Sequence, residues 1–123
     1  MTRYLMVMLG GGMGAAARLA VGLAIQSRMD GRFPWGTVFV NVSGSFLIGL
    51  ITALLAEKMA NPYWHPLLVV GFLGGFTTFS TFEYETFQLV RGTGAAWYGL
   101  ANVLGSVVLG YIAVWIGSSL GRS

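Results

Sequence analysis

The chain contains no cysteine and a single histidine, His65, among its 123 residues. Disulfides and thiolate metal sites are therefore excluded, and cysteine usage leaves the redox compartment open. Acids are almost as scarce: Asp30, Glu57, Glu83 and Glu85 are the whole set. So few titratable groups assemble no catalytic triad and no metal-ligand spacing, and an enzyme is not expected. Charged residues make up 9% of the chain and hydrophobic ones 55%, far too little polar surface to cover a soluble domain. The formal net charge is +3, but Arg3, Arg18, Arg28, Arg32, Lys58, Arg91 and Arg122 are scattered singly. No basic stripe forms, so no nucleic-acid partner is expected.

What remains is apolar and rich in glycine. Mean hydropathy is +0.72, and 19 glycines spread through apolar stretches suit close-packed membrane helices. A crossing helix needs about 20 mostly apolar residues. The run from Phe33 to Ala56 is uncharged over 24 residues, and that from Gly92 to Gly121 over 30. A first segment, Tyr4 to Ser27, is interrupted only by Arg18 and Gln26. Met1-Thr2-Arg3 and Ala15-Ala16-Ala17 mimic a signal peptide and its cleavage site, but the segment reads as a retained helix. A third segment starts near Pro66 and must run through Glu83 and Glu85 towards Val90 to cross. The expectation is one all-α membrane domain, residues 1–123, with helices at about 4–27, 35–56, 66–90 and 95–120.

With four crossings, Arg3, Lys58 and Arg122 fall on one side and Arg28, Arg32 and Arg91 on the other. The positive-inside rule then prefers neither orientation. A chain so balanced is able to insert both ways and pair as an antiparallel two-fold dimer.

The third segment carries the informative stretch, Gly71-Phe72-Leu73-Gly74-Gly75-Phe76-Thr77-Thr78-Phe79-Ser80-Thr81-Phe82-Glu83-Tyr84-Glu85. Paired glycines followed by paired threonines are poor helix formers at mid-span. A break there exposes carbonyls that suit a cation and opens a helix N-terminus that suits an anion. The competing reading is an unbroken packing helix using Gly71 and Gly75 as a GxxxG pair. Phe79 and Phe82, three apart, share a face; their positive ring edges are able to face an anion, although such pairs are more often plain packing. Ser80 and Thr81 add hydroxyl donors.

Asn41, Ser43 and Ser45 lie inside the second apolar run, and Asn102 and Ser106 lie four apart in the fourth. An amide in hydrocarbon needs a partner, so these are interhelical glue or pore lining. Arg18, about 20 Å into the first helix, has three possible roles: snorkelling to an interface, pairing with Glu83 or Glu85, or lining an anion vestibule. One decoy is set aside. Gly10-Gly11-Gly12-Met13-Gly14-Ala15, with Asp30 further on, fits a dinucleotide pattern, but no βαβ context surrounds it. Close helix contact through Gly10 and Gly14 accounts for it better.

Taken together, Gly74-Gly75-Phe76-Thr77-Thr78-Phe79-Ser80-Thr81-Phe82 and Glu85 resemble the signature of the Fluc (CrcB-type) fluoride channels. Gly10 to Arg18, Gly36-Thr37 with Asn41, and Asn102 to Gly110 resemble that family's first, second and fourth helices. The resemblance implies a passive, fluoride-selective channel of a bacterial inner membrane, formed by an antiparallel dual-topology homodimer that exports fluoride. It implies a structural sodium ion at the dimer centre on the backbone carbonyls of Gly74 and Thr77. It places Asn41, Phe79, Phe82, Ser80 and Thr81 along the fluoride path, and gives Arg18 and Glu85 a vestibule or structural role. Glu83 departs from the family's usual small hydroxyl residue. Beside an anion path it must be protonated, paired or turned away. Two rivals remain: a proton-coupled exporter of cations, for which the first helix lacks an acid, and an assembly subunit that conducts nothing.

Overall fold

The computed structural model describes residues 1–29, 31–58 and 61–123. Asp30, the acid of the dinucleotide decoy, lies outside the described residues, as do the side chains of Glu57 and Lys58. The described residues form helices and no strand. α1 (Thr2–Gln26) and α2 (Trp35–Lys58) are followed by a segment wound wide into π-helix (His65–Leu73) that continues into α3 (Gly74–Phe76). Then come α4 (Ser80–Thr93) and α5 (Ala96–Arg122). Four stretches are long and apolar enough to cross a membrane: Thr2–Gln26, Trp35–Ala56, His65–Thr93 and Ala96–Arg122.

The third of these is broken. Thr77 turns out of the helix with φ −88° and ψ 157°, and α4 restarts at Ser80. The break lies near the middle of the span, two residues beyond Gly75. The unbroken helix is therefore excluded, although Gly71 and Gly75 do pack directly on α1. A β-carbon on Gly71 would come within 3.0 Å of the Val7 carbonyl oxygen, and one on Gly75 within 3.1 Å of the Ala15 nitrogen.

Glycine governs the packing throughout. Gly10 and Gly14 are buried, and a β-carbon on either would overlap the Leu67 or Phe72 carbonyl oxygen of the third span. Close contact is thus the role of the glycine-rich first helix. α2 and α5 pack along most of their lengths through Gly49, which lies against Val114 and Ser118, and through Gly117, which lies against Phe46 and Leu50. Such approach lets backbones touch where lipid provides no hydrophobic drive for helix association. Proline and glycine also set the ends. Pro66 sits in the first turn of the wide segment, where its missing N–H costs nothing. Gly94 ends α4 in the left-handed conformation (φ 71°), its N–H donating to the Val90 carbonyl at 2.8 Å.

Among the described residues few apolar side chains are buried: Val40, Ala53, Leu73, Phe76, Phe82 and Leu89. Large apolar side chains cover the outside of α1 and α5, among them Leu5, Met8, Leu19, Leu104, Val108, Tyr111 and Trp115. That is the surface a bilayer requires, not one that water tolerates.

Because Gly117 has no room for a β-carbon, Gly117→Val should separate α2 from α5. Overpacking of this kind typically costs about 1–3 kcal/mol. The expected result is a clearly lowered unfolding temperature for the purified protein in detergent; an unchanged temperature would refute the close α2–α5 contact.

Candidate functional site

Breaking a helix at mid-span frees backbone groups that hydrocarbon cannot satisfy, and the residues around the break divide that task. Asn41 on α2 takes the largest share. Its Nδ2 donates to the Thr78 carbonyl at 3.0 Å, and its Oδ1 accepts the Thr78 N–H at 2.9 Å. The side-chain amide therefore pairs with the peptide as a neighbouring strand would. Of the two roles open to Asn41, interhelical glue is the one this geometry displays. One Nδ2 hydrogen is still left over.

Arg18 takes the next share. Its Nε donates to the Gly75 carbonyl at 3.0 Å, so its partner is the end of the broken half-helix and not a carboxylate. The Thr77 N–H and hydroxyl both donate to the Leu73 carbonyl, at 3.0 and 2.9 Å. The Thr78 hydroxyl accepts the Thr81 N–H at 3.3 Å and so caps α4 from one residue further out.

This sharing leaves a specific remainder. The Thr78 N–H would ordinarily close on the Gly74 carbonyl, four residues back, but Asn41 has captured it. The Thr81 N–H would likewise close on Thr77, but the Thr78 hydroxyl has captured it. Among the described residues, no donor reaches the carbonyl oxygen of Gly74 or of Thr77. Both residues line an open cleft of about 570 Å³. Unpartnered carbonyl oxygens on residues that line a cleft are hard donors of the kind an alkali cation takes.

Two clefts flank the break. The 570 Å³ cleft is walled by Asn41, Ser45, Phe79, Phe82 and Ser106 besides the two free carbonyl residues. The Phe79 and Phe82 rings stand 6.2 Å apart at 54°. Phe82 is buried, whereas Phe79 is 74% exposed. The second cleft, of about 580 Å³, lies towards the loop between α1 and α2 and is lined by Arg18, Arg32, Thr37, Thr81, Glu85 and Gln88. Thr78 lines both. The structure thus gathers Asn41, Phe79 and Phe82 on one side of the break and Arg18, Thr81 and Glu85 on the other. Ser80 and Glu83 are exposed and line neither cleft; of the options for Glu83, it is turned away.

The partners of several polar residues were not evident in the sequence. Thr37 donates a short hydrogen bond to Glu85 Oε1, tying α2 to α4. Gln26 clamps the loop between α1 and α2, its Nε2 donating to the Phe33 carbonyl at 3.1 Å and its Oε1 accepting the Gly36 N–H at 3.0 Å. Asn102 Nδ2 donates to the Thr86 hydroxyl at 2.7 Å. The sequence signal, where there was one, was only a polar residue in an apolar run.

A four-span helical membrane protein with a broken third span, an amide clamp at the break and paired phenylalanines beside it is the class these features define. Residues 5–118 match the family described as CrcB-like protein, Camphor Resistance (CrcB). A protein of Solibacter usitatus named fluoride-specific ion channel FluC is 60% identical over 98% of each chain. Proteins of the same name from Acidobacterium capsulatum and Thermus thermophilus are 45% and 44% identical; each alignment covers 98% of this chain and 96% of the relative. The chain belongs to the CrcB family.

Replacing Asn41 by leucine leaves the Thr78 N–H and carbonyl without partners, and each buried orphan costs about 1–3 kcal/mol. Asn41→Leu is expected to lower the unfolding temperature far more than Ser45→Ala, whose hydroxyl bonds only within its own helix, to Asn41 O. It should also speed amide exchange at Thr78 selectively. Equal effects of the two substitutions would remove the clamp.

Proposed function

We propose that this protein is a fluoride-selective passive ion channel of the bacterial inner membrane, which lowers cytoplasmic fluoride by letting the anion leave after it has entered as the neutral acid. It belongs to a channel family and is not an enzyme. Relatives covering nearly its whole length carry the name fluoride-specific ion channel. The observation on this chain that carries the reading is the clamped break in the third span, with Phe79, Phe82 and Asn41 beside it.

The physical problem is dehydration. A small, hard anion loses tens of kcal/mol of hydration in the Born limit unless replacement contacts are provided. On this reading the leftover amide hydrogen of Asn41, the hydroxyl of Thr81 and the positive ring edges of Phe79 and Phe82 provide them, whereas Ser80, which lines neither cleft, is left out of the path. A narrow passage built this way suits fluoride better than the larger chloride. Arg18 and Glu85 belong to the vestibule, where Arg18 adds positive charge within reach of an entering anion.

The functional unit in this proposal is an antiparallel, dual-topology homodimer. The even split of basic residues about the membrane and the exposure of Phe79 support it. The free carbonyls of Gly74 and Thr77 would hold a structural sodium ion at the dimer centre. When bound, the ion supplies positive potential near the break and offsets carbonyl oxygens that would otherwise repel one another. Asn41 and Thr78 contribute by holding the competing N–H groups away from those oxygens.

The test is ion efflux from liposomes containing only the purified protein, followed with fluoride and chloride electrodes. Fast fluoride release with no chloride release is expected, and Phe79→Ile or Phe82→Ile should suppress it while leaving the dimer intact. Wild-type flux in both variants would remove the ring-edge role, and absence of flux from a proven dimer would remove the channel. A second measurement addresses topology. Single cysteines in the loops should label from both sides of the membrane; labelling from one side alone would exclude dual topology.

A further inference from the structure

We propose that Asn102 is a positioning residue that, through Thr86, fixes the turn of α4 carrying Phe82 and so sets the width of the cleft beside the break; this rests on the channel reading above. Asn102 is 1% exposed and is the only buried polar or charged side chain among the described residues. Its Nδ2 donates to the Thr86 hydroxyl at 2.7 Å, and that hydroxyl donates in turn to the Phe82 carbonyl at 2.8 Å. On its other side, Asn102 Oδ1 accepts a longer bond, 3.5 Å, from the Ser106 hydroxyl.

The ends of this chain of hydrogen bonds are the two walls of one cleft, Phe82 from α4 and Ser106 from α5. The chain therefore spans from wall to wall. Gly99 and Asn102, three apart, present one face of α5 to α4. A β-carbon on Gly99 would press on Val90 and Thr86, so the helices meet closely at that level. The Thr86 hydroxyl bonds back to the carbonyl four residues earlier, a contact that bends a helix locally. Asn102 holds that hydroxyl by accepting no alternative geometry: its buried amide has to find this partner or none. The geometry of the α4 turn at Phe82, and with it the aim of the ring, is thereby set from α5. No contact of Asn102 with the ion path is needed.

The test combines flux with a readout on the ring itself. Full-length protein carrying 4-fluorophenylalanine at Phe82 is prepared as wild type, Thr86→Val and Thr86→Ser, and its 19F resonance is recorded beside fluoride and chloride efflux from liposomes. Thr86→Val keeps the shape and removes both hydrogen bonds; Thr86→Ser keeps both. The expected result is a shifted or broadened resonance and at least tenfold slower fluoride efflux in Thr86→Val, with both restored in Thr86→Ser. An unchanged resonance in Thr86→Val, or a changed resonance with wild-type flux and selectivity, overturns the proposal. If Thr86→Val does not yield folded protein, Asn102→Ser is read by the same two measurements against the same criteria. Wild-type protein that conducts nothing overturns the channel reading instead, and the spectrum then still decides whether Asn102 and Thr86 aim the ring.

Discussion

Everything around the site depends on one constraint: a backbone interrupted in the middle of a membrane has to be satisfied by side chains. Water cannot do it, and an unpaired peptide group there costs several kcal/mol. The chain answers with an amide. Asn41 pairs both polar atoms of the Thr78 peptide, and an asparagine side chain is the smallest group that presents a donor and an acceptor in the same plane. A serine or threonine hydroxyl also donates and accepts, but from a single oxygen, whereas the amide offers its donor and acceptor on two separate atoms. Arg18 covers the Gly75 carbonyl in the same way, with a charged donor, which makes the stronger kind of hydrogen bond.

The clamp works only if α1 and α2 stand at the right depth and distance, and glycine arranges both. Gly10, Gly14, Gly71 and Gly75 bring α1 against the first half of the third span, which is what places Arg18 over the Gly75 carbonyl. Gly44 brings α2 against Thr77 and Phe76, one turn beyond Asn41. Small residues and polar clamps are thus two parts of one device. Bulk at the glycines would move the donors out of reach without touching them.

Much of this was legible in the sequence, and what was not has a common cause. Long uncharged runs mark the second and fourth spans, because hydrocarbon tolerates little else, and apolar stretches with one or a few charges mark the first and third. Gly74-Gly75 followed by Thr77-Thr78 marks the break, because both pairs disfavour helix. The wide winding of His65–Leu73 has no such signature: Leu, Val and Phe are acceptable in either winding, and the segment packs on α1 in the wide one. The partners of Asn41, Arg18 and Asn102 were equally hidden. A polar residue in an apolar run shows that a partner exists, but the partner's identity depends on how two helices are rotated about their axes. The Thr86 and Thr37 hydroxyls carry even less of a mark, since threonine in a membrane helix also bonds its own backbone.

The break also resolves an apparent conflict in building an anion path beside carbonyl oxygens. The first half of the third span ends with its negative pole at Gly74 to Thr77, and α4 begins with its positive pole at Ser80, only a few residues away. Helix poles act within about one turn of the end, so an anion and a cation are each able to find favourable ground near the same break if they approach from different sides. The side chains sharpen that separation. Asn41 and Thr78 draw the N–H groups away from Gly74 and Thr77, leaving bare oxygen. The phenylalanine rings stand beyond it, at the head of α4, where the field of the helix favours negative charge. On the proposed reading, the two captured N–H groups leave the Gly74 and Thr77 oxygens free for a cation, whose charge offsets theirs beside the rings that line the same cleft.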